Sequence, residues 1–221
     1  MSSTYDIAGV LPDGMLEKLP AGTSLLISGP PMVGKQELAI RLLAAGHERG
    51  NGVLCVTTSK DAASFLNELE RQIPTLDRNR IGVVDCSGSD HQRTIDEIAT
   101  ESVASPGDLT GVSIGTAKLL KRFTNHDISG VWHGFVSVST LLRYVNLDTV
   151  FKFLHIYTSR IADTRGIGIF TVDSTTHEPQ EMSTVMSEFD RVLELRETDT
   201  GDREIRVKEI PGPSRDWYLL K

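Results

Sequence analysis

An eight-residue stretch, Gly29-Pro30-Pro31-Met32-Val33-Gly34-Lys35-Gln36, constrains this chain more than any other segment. It has the spacing G-x-x-x-x-G-K. It stands between a short apolar run, Ser24-Leu25-Leu26-Ile27-Ser28, and a stretch of helical periodicity over residues 35–49. The context matters because the pattern functions only at a strand-to-helix junction. Glycines let the backbone curl until its N–H groups face a phosphate. The helix start adds partial positive charge, and a lysine placed like Lys35 reaches the outer phosphates. Gly29, Pro30, Pro31, Met32, Val33, Gly34, Lys35 and Gln36 are therefore the candidate nucleotide-binding residues. The eighth position of the pattern is Ser or Thr, whose hydroxyl ligates magnesium. Here it is Gln36, whose longer side chain carries its amide oxygen to a different place. The competing reading is a glycine-rich turn with a surface lysine, and the flanking strand and helix argue against it.

The rest of the chain repeats that alternation. Apolar runs at residues 53–57, 80–85, 130–138 and 167–172 read as strands. Residues 61–72, 94–101 and 147–161 read as helices, as does a stretch carrying Ile114, Ala117, Leu119 and Leu120 that Asp108 would cap. Residues 189–195, 204–208 and 217–220 close the chain as strands, with a hairpin turn at 198–202. The pattern predicts one α/β domain over residues 1–221. A mostly parallel sheet would be covered on both faces, with antiparallel strands added at one edge by a C-terminal hairpin.

Composition narrows the function classes. A chain of 221 residues can bury a core without staples. Its two cysteines, Cys55 and Cys86, exclude a disulfide framework or a four-cysteine zinc site. No apolar run approaches the roughly 18 residues of a membrane helix. Residues 1–13 are polar and lack the build of a signal peptide, so a cytoplasmic protein is expected. The net charge of −7 counts against a dedicated nucleic-acid binder, which needs basic excess to neutralise phosphates. Lysine supplies only 8 of the 23 basic residues, a balance that suits a salt-adapted cytoplasm and equally serves solubility.

Around the glycine segment, the chain resembles the RecA superfamily, and within it the KaiC-like ATPases of archaea and bacteria. Leu19-Pro20-Ala21-Gly22, then Leu25-Leu26-Ile27-Ser28, are similar to that family's approach to G-P-P-x-x-G-K. Ala45-Gly46-His47-Glu48-Arg49-Gly50 and Val53-Leu54-Cys55-Val56-Thr57 resemble its first helix end and second strand. Residues 135–142 resemble its magnesium-binding strand and the serine-rich segment after it. Residues 188–208 resemble the closing hairpin, where a basic residue often reaches a neighbouring subunit's nucleotide. The resemblance implies a RecA-like P-loop fold, ATP as ligand and self-association.

Three departures bear on activity. The family's second strand ends in a glutamate that activates water; here Thr57-Thr58-Ser59-Lys60 follow, and Asp61 comes too late. The magnesium strand should end in aspartate, where this chain has Val136, or Ser137 with a one-residue shift. Lys208 is present in the closing hairpin, but Ile210 stands at the expected arginine. With Gln36 added, the phosphate cradle is kept while the metal hydroxyl, the strand carboxylate and the water-activating glutamate are lost. Phosphoryl transfer depends on metal and charge placement, so magnesium-dependent hydrolysis is not expected. The expectation is an ATP-binding regulatory or signalling module, a pseudo-ATPase, acting with its own copies or a signalling protein. The alternatives are an active ATPase using displaced carboxylates, Asp61 or Asp173, and an interaction scaffold that binds no nucleotide.

Other polar residues have plain readings beside sharper ones. His133 in an apolar strand reads as a core histidine, and Asp173 as the cap of the turn at 173–176. Ser137, Ser139 and Thr140 either bind phosphate or form a polar strand-to-helix junction. Cys55 reads as buried packing, Cys86 as more accessible. His47, His91, His126, His155 and His177 lack metal-ligand spacing, so no metal site is expected. Arg203, Arg206, Lys208 and Arg215 make the tail basic, as an exposed hairpin face or a subunit or nucleotide contact.

Overall fold

The computed structural model describes residues 4–73, 75–88, 98–209 and 216–220. A short antiparallel pair, β1 (Thr4–Asp6) and β2 (Lys18–Pro20), precedes the main sheet. That sheet contains β3 (Ser24–Gly29), β4 (Gly52–Thr57), β5 (Ile81–Asp85), β6 (Ala99–Ser102) and β7 (Val131–Val136). It is completed by β8 (Ile167–Asp173), β9 (Arg191–Glu197), β10 (Arg203–Glu209) and β11 (Tyr218–Leu219). The nine strands lie in the order β11-β10-β9-β3-β8-β7-β4-β5-β6. All pairings from β9 to β6 are parallel, and β10 and β11 add antiparallel strands at one edge. The α/β architecture with a C-terminal antiparallel hairpin is the one expected.

Strand alternation sorts side chains to two cores. Leu25, Ile27, Val53, Cys55 and Ile169 pack with α1 (Lys35–Glu48) and α2 (Ala62–Glu70). On the other face, Leu26, Leu54, Val56, Phe135 and Phe170 pack with α3 (Leu109–Asn125), α4 (Val138–Tyr144), α5 (Leu147–Asp163) and α6 (Pro179–Met186). Gly46 is required where α1 crosses the sheet, because a Cβ there would collide with the ring of the fully buried Trp132. Side-chain carboxylate and amide caps start α2, α3 and α5, from Asp61, Asp108 and Asn146. Among the described residues no helix is long and apolar enough to cross a membrane.

One expectation needs correction. The helix expected over residues 94–101 does not reach its end: Ala99–Ser102 is β6, paired in parallel with β5, and residues 94–97 lie outside the described residues. The sheet edge supplies hydrogen-bond partners that the local sequence does not display. The polar N-terminus also carries structure, since Ile7, Leu11, Met15 and Leu19 are buried in the core on the α1 face.

Candidate functional site

Because β3, β4, β5, β7 and β8 run parallel, their carboxyl ends share one edge, where open α/β sheets place their ligands. A cavity of about 410 Å3 opens there, lined by Gly34, Lys35 and Gln36, by Ser137, Ser139 and Thr140, and by Arg143 and Asp173 among others. Of the segment 29–36, Met32, Gly34, Lys35 and Gln36 line the cavity, while Val33 is buried in the core on the α1 face.

Local backbone chemistry makes that border. Gly34 precedes α1 with φ +97°, a left-handed conformation that suits glycine, and a Cβ there would lie 2.5 Å from the Arg203 guanidinium. Glycine has no side chain to cap the helix, so the first-turn N–H groups of α1 keep their capacity for a ligand. Met32, also left-handed at φ 65°, stands fully exposed at the tip of the loop. Lys35 is only 8% exposed. Its ammonium lies 2.8 Å from Asp173 Oδ1 and donates to the Pro30 carbonyl at 2.5 Å. Asp173 therefore faces the cavity, as one sequence reading held, with its carboxylate engaged by the lysine.

Gln36 turns toward α2, where its amide nitrogen donates to Glu68 Oε2 at 2.6 Å; Lys60 pairs with the other carboxylate oxygen. Asp61 caps α2, accepting from the Ser64 N–H at 2.7 Å, and is not among the residues that line the cavity.

The opposite wall, at the ends of β4 and β7, is occupied by its own hydrogen bonds. Thr58 Oγ1 donates to the Val136 carbonyl at 2.8 Å and accepts from the Ser137 N–H at 2.7 Å. Val136 meets the cavity with an apolar side chain. Ser139 Oγ accepts the Asp173 N–H at 2.8 Å and lies 2.8 Å from His177 Nε2. His177 Nδ1 in turn is 3.9 Å from Glu181. Sequence reasoning gave no role to His177 or Arg143, because their neighbours come from distant segments. The one available signal for Arg143 was a lone cation on the short helix after the serines.

The remaining candidates lie elsewhere. His133 is buried against Tyr157, with Nδ1 3.3 Å from the phenol oxygen, while its Nε2 has no hydrogen-bond partner among the described residues. Burial, helped by the Arg160 charge, pushes its pKa down to about 3. It is a core residue whose hydrogen bonding is half satisfied. Cys86 is fully buried, not more accessible than Cys55. Burial with the nearby Asp85 and Asp108 charges pushes its thiol up to about 12. The hairpin cations are paired: Arg206 and Lys208 with Glu194 inside the hairpin, and Arg203 with Glu37 on α1. Arg196 and Arg206 both stack on Trp217, at 4.1 and 4.4 Å from its ring centre. His91, Ile210 and Arg215 lie outside the described residues.

A mostly parallel α/β sheet with a cation-bearing cavity at its carboxyl edge defines the class of architecture. Residues 22–195 match the model of a family of unknown function, DUF7504, and the chain belongs to that family. No curated protein matches the sequence.

Proposed function

We propose that this chain is a RecA/KaiC-like P-loop module that binds a nucleotide, ATP first, and serves as a regulatory or signalling element with impaired or absent hydrolysis. The observation that carries this reading is Lys35. Its ammonium is buried at the start of α1, under a loop whose glycine leaves the helix N–H groups uncapped, at the edge of a cavity it shares with Arg143 and five hydroxyl residues. Two cations, a helix start and hydroxyl donors suit a polyphosphate. Gly34, Lys35 and Arg143 would hold it, with Ser137, Ser139 and Thr140 as further donors.

The same wall fits magnesium poorly. Gln36 offers an amide in place of a hydroxyl and turns its nitrogen to Glu68, Val136 is apolar, and the two carboxylates lining the cavity are tied to cations: Asp173 to Lys35, and Glu37 to Arg203. Magnesium prefers carboxylate and hydroxyl oxygens in near-octahedral array. Binding without efficient turnover follows from this donor set. The runner-up, hydrolysis through Asp173, draws on its place in the cavity, but a carboxylate holding Lys35 is poorly placed to activate water. To act as a switch, the module must bind nucleotide with different affinity in two conformations, of itself or of a complex with its own copies or a signalling protein.

Calorimetry of ATP binding, with and without magnesium, at moderate and high potassium chloride, tests the reading beside Lys35→Ala. Binding that magnesium barely changes, that the variant loses, and that releases no phosphate is the expected result. A folded sample that binds no nucleotide, with a thermal midpoint unmoved by ATP, ADP or GTP, overturns it in favour of the scaffold.

A further inference from the structure

We propose that His177 sets the direction of the Ser139 hydroxyl and thereby couples anion binding in the cavity to proton uptake; this rests on the phosphate-binding reading above. Ser139 lines the cavity, yet its residue is only 2% exposed, and every polar contact it makes is fixed by the fold. Its oxygen accepts the Asp173 N–H at 2.8 Å, which uses one lone pair. Its other close partner is His177 Nε2 at 2.8 Å, from the bend before α6 and 38 positions away in sequence. The His177 side chain is 9% exposed and does not line the cavity, so it acts through the serine as a positioning residue.

The geometry allows two hydrogen-bond arrangements. The Glu181 carboxylate, 3.9 Å from Nδ1, favours the neutral tautomer protonated there over the one protonated at Nε2, and Nε2 is then an acceptor. The Ser139 O–H must then donate to it, and the serine meets the cavity with a lone pair, which repels an oxyanion. With both ring nitrogens protonated, Nε2–H donates to Ser139 Oγ. Both lone pairs are then filled, and the hydroxyl hydrogen turns to the cavity, where it donates to an anion. The ring's charge acts in the same direction.

The titratable and charged groups on the surrounding elements are Glu178 and Glu181 at the start of α6 and Asp173 at the end of β8, with its partner Lys35 on α1. Arg143 stands on α4, and the His155–Glu188 pair joins α5 to the end of α6. All are retained in a His177 variant, so the difference from the parent protein isolates the imidazole.

Sulfate is the probe, because it remains a dianion where phosphate esters titrate. Its affinity is measured at pH 6 and pH 8 for the parent chain, His177→Gln and Ser139→Ala, with ATP titrated alongside and thermal melts confirming folding. The parent is expected to bind sulfate about tenfold tighter at pH 6, and both variants to vary by less than twofold between the two pH values. A His177→Gln protein that keeps the tenfold change overturns the inference, as does a parent whose sulfate affinity is flat or undetectable while ATP still binds through Lys35. Failure of the parent to bind either ligand at either pH overturns the nucleotide reading and this one together.

Discussion

The two walls of the cavity are built on opposite plans. On the β3–α1 side, backbone capacity is left open: Gly34 caps nothing, and the Lys35 ammonium is held by a carboxylate and a carbonyl. On the β4–β7 side the groups at the strand ends serve one another, with Thr58 stitching Val136 to Ser137 and Ser139 joined to Asp173 and His177. A hydroxyl committed to a neighbour stabilises the fold and must be redirected before it serves a ligand, whereas the uncapped N–H groups of α1 can serve one directly. A site can therefore keep the means of gripping a phosphate after the opposite wall has become structural.

The largest effect should come from the open wall. Lys35→Ala is expected to weaken ATP binding about tenfold to 150-fold, since a charge-assisted contact in a half-enclosed site contributes roughly 1.5–3 kcal/mol. Its thermal midpoint in the absence of ligand should move little. Calorimetry and a melt on the same sample read both, and an intact affinity would show that the loop does not grip the ligand. Next comes the closed wall. Thr58→Val leaves the Ser137 N–H without its acceptor in a site where Thr58 is 4% exposed. The cost should be about 2 kcal/mol, a fall of about 4–8 °C in Tm for a chain of this length. ATP affinity should change less than threefold. A Thr58→Val protein of unchanged Tm but lost binding would invert the assignment of the two walls.

Asp173 belongs to both walls, so it sharpens the comparison. Its carboxylate occupies Lys35, while its N–H anchors Ser139. Asp173→Asn keeps the backbone contact and removes the competing charge, and it should tighten ATP binding about tenfold to thirtyfold. If Asp173 instead serves hydrolysis, the same variant abolishes phosphate release from a parent protein that shows it. A phosphate-release assay beside the titration separates the two.

The open wall was legible in the sequence and the closed one was not. G-x-x-x-x-G-K between an apolar run and a helical stretch is a local signal, and so are the apolar runs of β3, β4, β5, β7 and β8, whose partners are chosen by burial. β6 escaped because Ala99-Thr100-Glu101-Ser102 has neither apolar alternation nor a run; its strand state is supplied by β5. The N-terminal pair escaped because its strands are three residues each, too short to show a period, while Ile7, Leu11, Met15 and Leu19 recur at a helical spacing of four yet reach the core from turns and a short strand. Ser139 and His177 meet only through the tertiary fold, and no spacing rule connects residues on different elements. The side chain of Gln36 was read for what an amide can do, and its actual partner, Glu68, lies 32 residues on.

Proton linkage offers the smallest effect and the finest discrimination, because two histidines should respond to acid in opposite ways. His133, buried with an unpartnered Nε2, has a folded-state pKa of about 3 against about 6.5 when the chain is unfolded. Below pH 6.5 the unfolded chain takes up a proton that the folded one refuses, so stability is full above that value and falls as pH drops toward 3. At pH 5.5 the loss relative to pH 8 is about 1.4 kcal/mol. His133→Phe removes the refused proton and should flatten that part of the Tm–pH curve, at a constant cost from the lost Tyr157 contact. It should leave sulfate affinity and its pH dependence unchanged, because His133 does not line the cavity. His177→Gln should do the reverse, flattening the binding profile while the acid loss of stability persists. Were one substitution to flatten both curves, the core and the cavity would share a titrating group, and the separation drawn here between a binding edge and a buried interior would fail.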